Sequence, residues 1–172
     1  NSGEIIIHKD DSFEKIISKY KDKKDKIYIL GRYNLSMYDD ALKRRLQKSN
    51  IVSKTQIEKA VRENPNIEYK TVHKAKGLEA DIIIIVNLFS GTEGFPSQIE
   101  DDYILDLVLP NPEAYPFAEE RRLFYVALTR AKKKVYLLSG ESWSCSDFVK
   151  ELEKDYPKLL KSQTLKKVIN KK

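Results

Sequence analysis

The chain has 172 residues, 41% of them hydrophobic and 34% charged, with a formal net charge of +6. A chain of this length makes one domain or one large lobe that buries roughly 70% of its unfolded surface. The charge content describes a globular protein with a heavily charged exterior, and the basic excess favours phosphate-rich or acidic partners without selecting one. Cys145 is the only cysteine, which excludes an internal disulfide and a thiolate zinc site and suits a reducing, cytoplasmic setting. No apolar run approaches ~18 residues, and NSGEIIIHKD lacks a secretory pattern, so neither a membrane span nor a signal peptide is expected. The absence of an initiator Met is consistent with a piece of a longer polypeptide.

Along the chain, Glu4 to His8 read as a buried strand, and Asp10 to Ser12 can cap a helix on which Phe13, Ile16, Ile17 and Tyr20 recur at helical spacing. Lys26 to Arg32 repeat the strand signal. Asn34 or Ser36 could then cap a helix carrying Met37, Ala41, Leu42 and Leu46. A weaker helix is predicted over Lys54 to Arg62, followed by strands over Ile67 to Val72 and Asp81 to Asn87. The second of these strands is apolar at successive positions, as in a parallel sheet covered on both faces. Ser90 to Pro116 form an excursion with turns at Gly91, Gly94 to Pro96 and Pro110 to Pro112 around a short apolar piece, Tyr103 to Leu109. Ala118 to Ala131 are the clearest helix, with Glu119 and Glu120 at its positive end and Arg130 and Lys132 at its negative end. A strand over Lys132 to Gly140, a short helix from Ser146 or Asp147, and a lysine-rich end expected to fray complete the chain. Alternating strands and helices predict an α/β class with a mostly parallel sheet.

In such sheets, ligands gather where loops leave the strands. Three polar clusters fall near such places: Gly31 to Asn34, the connector His73 to Glu79, and Arg130. Arg32 directly follows a strand, where a guanidinium can fork onto phosphate oxygens or simply end the strand at the surface. Arg130 lies on the flank of the apolar sector formed by Leu123, Phe124, Ala127, Leu128 and Ala131, a position that also suits a side chain covering its own core. Arg121 and Arg122 read as an ion-paired helix surface. In the connector, Gly77 permits a tight turn, His73, Lys74 and Lys76 could meet a nucleic-acid backbone, and Glu79 could accept from a sugar hydroxyl. No metal-ligand spacing stands out, and there is no GxxxxGK[ST] phosphate loop.

TVHKAKGLEAD (Thr71 to Asp81), GFPS (Gly94 to Ser97) and AEERRLFYVALTRAKKKVYLL (Ala118 to Leu138) resemble, in that order, the fifth motif, the Phe-Pro loop and the sixth motif of UvrD/Rep-type superfamily-one DNA helicases; the helicase IV branch is the nearest in pattern. ILGRYN (Ile29 to Asn34) resembles the fourth motif. The resemblance implies a RecA-like three-layer domain over residues 1–155, the second of two motor domains, followed by a basic tail over 156–172. It also implies that Arg32 and Arg130 reach the γ-phosphate of ATP, bound with Mg2+ on the first domain. Glu79 would meet the ribose, and Lys76 and Gly77 would shape the nucleotide-facing turn. Thr71, His73 and Lys74 would contact single-stranded DNA. The fragment would be a monomer, incomplete as an enzyme, and its parent a 3′ to 5′ helicase. The short span from Asn34 to Thr71 leaves no room for the large subdomain that UvrD and Rep insert there. A module that keeps the helicase fold without catalysis, for example one acting on a polymerase, is the rival reading.

Overall fold

Ala80 to Leu88 form the longest apolar strand, and their alternation builds the molecule's two cores. Ile83 and Ile85 pack on one side with Leu123, Phe124 and Phe148, whereas Ile82, Ile84 and Val86 pack on the other with Phe13, Ile16 and Ile57. Successive side chains of a strand point to opposite faces, so a continuously apolar strand requires both faces to be covered. The computed structural model describes residues 3–10, 12–46, 50–98, 117–140 and 144–162.

The strands are β1 (Glu4–His8), β2 (Ile27–Gly31), β3 (Ile67–Thr71), β4 (Ala80–Leu88), β5 (Ala131–Ser139) and β6 (Leu160–Ser162). The helices are α1 (Phe13–Tyr20), α2 (Asp40–Leu46), α3 (Lys54–Glu63), α4 (Ala118–Leu128) and α5 (Asp147–Asp155). The strands join in the order β3-β2-β4-β5-β1-β6, and every pairing is parallel. α1 and α3 cover one face. α4, α5 and the connector residues Val72 and Ala75 cover the other. This is the α/β class with a parallel sheet expected from the residues, in the three layers that the resemblance implies. Among the described residues, no helix is long and apolar enough to cross a membrane.

Several boundaries differ from the sequence expectation, each for a local reason. Leu35 to Tyr38 form a short 3-10 turn ahead of α2, flanked by extended backbone at Asn34 and Asp39. Tyr38, at 1% exposure, fills the core that Met37, at 48%, was expected to fill. Its hydroxyl also accepts from the Tyr33 backbone N–H at 3.1 Å, a bond that methionine could not supply. α4 ends at Leu128, before Arg130, because the Arg130 carbonyl already accepts from Ala80 N–H at 3.1 Å and Ala131 is paired with Ala80. α3 carries a capping box in which Ser53 and Gln56 satisfy each other's backbone N–H, a start signal that the polar surroundings hid. The lysine-rich end contributes β6, whose backbone completes the otherwise open side of β1, so fraying does not hold for Leu160 to Ser162. The apolar piece Tyr103 to Leu109 and the turn at Pro110 to Pro112 lie outside the described residues.

His8, at the end of β1, is buried, and its Nε2 has no hydrogen-bond partner. Burial holds its pKa below the ordinary 6.5; Asp10 opposes the shift, while Lys19 and Lys15 reinforce it. The fold therefore favours neutral His8, and protons favour the unfolded chain. The stability that this residue contributes is complete above pH 6.5 and is lost as pH falls from there towards the lowered folded value. Melting curves of the 172-residue chain from pH 8 to pH 5 should show this loss, and His8→Gln should flatten it. Equal slopes for the two proteins would refute it. Glu68, Asp81 and Glu151, whose pKa values are lowered mainly by hydrogen bonds from Lys70, the Lys26 backbone and Arg121 respectively, act in a separate window. Their contributions are lost only as pH falls through the carboxylate range.

Candidate functional site

Because all strands run the same way, the sheet has a carboxyl rim and an amino rim, and the candidate residues divide between them. At the carboxyl rim lie Arg32 after β2 and Thr71 at the end of β3, registered beside Gly31, together with the GFPS loop beyond β4. At the amino rim lie Glu79 before β4 and Arg130 before β5. The connector joins the rims. It leaves β3 at Thr71, makes a 3-10 turn over His73–Ala75, and enters β4 at Ala80.

Two small apolar anchors hold this crossing ribbon, Val72 and Ala75, both completely buried. Val72 N–H extends the ladder to Gly31 O at 3.0 Å, and the Thr71 hydroxyl accepts from Lys74 N–H at 3.3 Å. The rest of the connector, up to the buried Ala80, faces out: His73, Lys74, Lys76, Gly77, Leu78 and Glu79 are exposed. Gly77 has φ +82°, and a Cβ placed there would meet nothing within 4 Å. Its glycine therefore answers to backbone conformation, and the space above it is open.

The carboxyl rim centres on a carboxylate that sequence reading had placed only near a helix start. Glu120 is 8% exposed. It accepts Arg32 Nε at 2.7 and 3.0 Å and lies 2.6 Å from another Arg32 guanidinium nitrogen, and it also accepts the Ser97 backbone N–H at 2.9 Å. Burial opposes the Arg32 charge, but hydrogen bonding and attraction from Glu120 outweigh it and raise its pKa. The guanidinium also lies 5.2 Å from the Tyr33 ring centre. The Tyr33 hydroxyl is bonded to Ser97 Oγ at 2.6 Å, and Phe95, fully buried, packs against Phe124 and Phe148 at centroid distances of 5.6 and 6.1 Å. The GFPS loop is thus sewn to both β2 and α4. Its signal in the sequence was the Glu of EERR. Helical phase puts Glu120 on the same sector as Leu123 and Ala127.

The amino rim is more open. Arg130 is half-buried, donating from Nε to Val126 O at 3.1 Å and from a terminal nitrogen to Thr129 Oγ1 at 3.1 Å. Among the described residues, no carboxylate pairs with it. Glu79 is exposed, and its ion pair with Lys132 is long at 3.5 Å. Nearby, Lys133 bridges Asp25 at 2.7 Å and Asp81 at 3.1 Å; hydrogen bonds to these two carboxylates raise its pKa. Arg32 and Arg130, expected to close on one phosphate, are not brought together: α4 separates their rims by roughly 15 Å at 1.5 Å per residue. Arg121 also differs from expectation, since it grips Glu151 of α5 through both terminal nitrogens while Arg122 pairs with Glu119. No cluster of His, Cys, Asp and Glu among the described residues could hold a metal ion.

A parallel sheet between two helical layers, with an exposed Gly-containing connector crossing it and an EERR helix that leads to an arginine without a carboxylate partner among the described residues, defines a helicase-type α/β domain. The chain belongs to the UvrD-like helicase C-terminal domain family, whose model matches residues 5–142. It is 35% identical over 139 residues to DNA helicase IV of Escherichia coli (strain K12), covering 80% of this chain and 18% of that protein. It is 38% identical over 94 residues to the probable DNA helicase II homolog of Mycoplasma capricolum subsp. capricolum, covering 49% of this chain and 11% of that protein. The chain thus spans less than a fifth of the curated relatives it matches here. Its fold is similar to the crystal structure of the C-terminal domain of a possible DNA helicase from Lactobacillus plantarum WCFS1. That comparison has a TM-score of 0.52 and 18% identity and covers 95% of this chain and 86% of the other.

Proposed function

We propose that the chain is the second motor domain of an ATP-dependent DNA helicase or translocase, with its nucleotide-facing side at the amino rim and its single-stranded-DNA-facing side at the carboxyl rim. The observation that carries this reading is the connector, which places Thr71, His73 and Lys74 near one rim and Lys76, Gly77 and Glu79 towards the other. Arg130 is the finger: among the described residues no carboxylate pairs with its charge, and its backbone carbonyl accepts from Ala80 N–H, the residue after Glu79. Arg32, neutralised by Glu120 on the far rim, takes no part in phosphate closure in this reading.

The amino rim fits a polyphosphate in its donor chemistry, with a guanidinium that has no carboxylate partner among the described residues, a lysine and an open glycine turn. ATP with Mg2+ would supply the phosphoryl group whose transfer drives the motor, held mainly by a first motor domain. Here Arg130 would neutralise charge developing on the transferred group, Glu79 would accept from the ribose, and domain closure would bring them into place. At the carboxyl rim, Thr71, His73 and Lys74 would meet the DNA backbone.

The reading is tested on the 172-residue chain and its parent together. The chain alone should hydrolyse no ATP with or without oligo-dT, because it has the finger and no phosphate loop. It should bind oligo-dT weakly and with strong salt dependence, since few phosphates are contacted. The parent should hydrolyse ATP and be stimulated by oligo-dT. DNA binding by a parent that never hydrolyses ATP would instead identify a module that keeps the fold without the motor.

A further inference from the structure

Glu120 and Arg130 stand near opposite ends of one helical segment, and the functional reading above has a use for only the second. We propose that Glu120 is a positioning residue that couples DNA engagement at the carboxyl rim to the finger at the amino rim, an inference that rests on the helicase reading. Its buried carboxylate holds three things at once: the α4 backbone on which it sits, the Arg32 guanidinium after β2, and the Ser97 N–H of the GFPS loop. The loop and the end of β2 therefore cannot shift on binding DNA without moving the start of α4. α4 is an uninterrupted helix of 11 residues that leads through Thr129 directly to Arg130. A rigid element clamped at one end by a buried ion pair and bearing a functional group at the other is a physical route for coupling between two sites.

The clamp is also more than a fold brace. Packing of Leu123, Phe124 and Ala127 already fixes α4 on the sheet, and Arg121 with Glu151 already ties it to α5. What Glu120 adds to the Phe95–Phe124 contact is a polar tie to the loop backbone at Ser97 and to the strand end at Arg32.

The test uses the full-length parent, with oligo-dT as the probe, and reads the half-activating oligo-dT concentration, the ATPase rate at saturating oligo-dT, the salt slope of oligo-dT binding, and the melting temperature. Glu120→Gln should raise the half-activating concentration roughly tenfold, the scale of coupling carried by residues between sites. Its salt slope should stay at the wild-type value, because no phosphate contact is removed. Arg32→Met with Glu120→Leu leaves no lone buried charge, so its melting temperature should return to within a few degrees of wild type while the half-activating concentration stays raised. Arg121→Ala, which cuts the other tie of the same helix, should lower the melting temperature and spare activation. Half-activating concentrations within twofold of wild type for both Glu120 variants, or values that merely follow melting temperature across all variants, overturn the proposal. In that case, a parent that is still stimulated by oligo-dT and still disabled by Arg130→Ala leaves the helicase reading standing. A wild-type parent without DNA-stimulated hydrolysis overturns both.

Discussion

Arg130→Ala in the full-length parent should reduce DNA-stimulated ATP hydrolysis by about a hundredfold or more, the scale of losing charge stabilisation in a phosphoryl-transfer transition state. Folding and single-stranded DNA binding should change little. The side chain's own bonds run from the charged guanidinium to two neutral acceptors at the helix end, Val126 O and Thr129 Oγ1, and at this half-exposed position water can replace much of what they contribute. Neither contacts the carboxyl rim. Arg121→Ala provides the contrast: its bidentate pair with Glu151 is partly exposed and contributes at most about 1 kcal/mol of stability. That variant should melt somewhat lower and turn over normally. If Arg130 serves only to end its helix, the pattern reverses, with a lowered melting temperature and a wild-type rate. Measuring both quantities for both variants decides between the two roles.

Gly94→Ala should destabilise the chain severely for the addition of one methyl group. A Cβ at Gly94 would lie 2.0 Å from the Phe89 carbonyl oxygen and 3.0 Å from its carbon, so backbone, not a pliable side chain, has to move. Gly94 N–H is bonded to Gly91 O and Phe95 N–H to Phe89 O, which leaves the turn little freedom to open. Displacing it pulls Phe95 away from Phe124 and Phe148 and Ser97 away from Glu120. The expected cost is about 2–4 kcal/mol, an overpacking and strain penalty, or a fall of roughly 5–15 °C in melting temperature for a chain of this size. Gly77→Ala meets no atom and carries only the positive-φ penalty of about 1 kcal/mol. Calorimetry of the two variants should rank them in that order. A Gly94→Ala chain melting within 2 °C of wild type would show that the loop yields more easily than its contacts imply.

The periodic segments were legible because burial is written in them locally. β1, β2, β4 and the body of α4 follow from runs of isoleucine and from the spacing of Leu123, Phe124 and Ala127. The motif residues of the connector and of EERR could be picked out as sequence, and the family match over residues 5–142 agrees with that recognition. The turn Leu35–Tyr38 was not legible, because whether Met37 or Tyr38 is buried depends on a hydroxyl finding the Tyr33 N–H across the loop. β6 was hidden for a similar reason: three residues pair through backbone, which has no side-chain signature.

What the sequence determined by itself was the class of the domain, a parallel α/β layer, and the identity of its polar connector. Hydrophobic periodicity and motif order both survive in one dimension. Which rim each polar residue occupies was decided only by the tertiary structure. Strand direction and register put Arg32 with Glu120 at the carboxyl rim and Arg130 with Glu79 at the amino rim, separating two arginines that looked equivalent along the chain. An arginine's role depends on whether a carboxylate reaches it first. For Arg32 that carboxylate comes from a helix 88 residues away in the sequence, a proximity that no local pattern encodes.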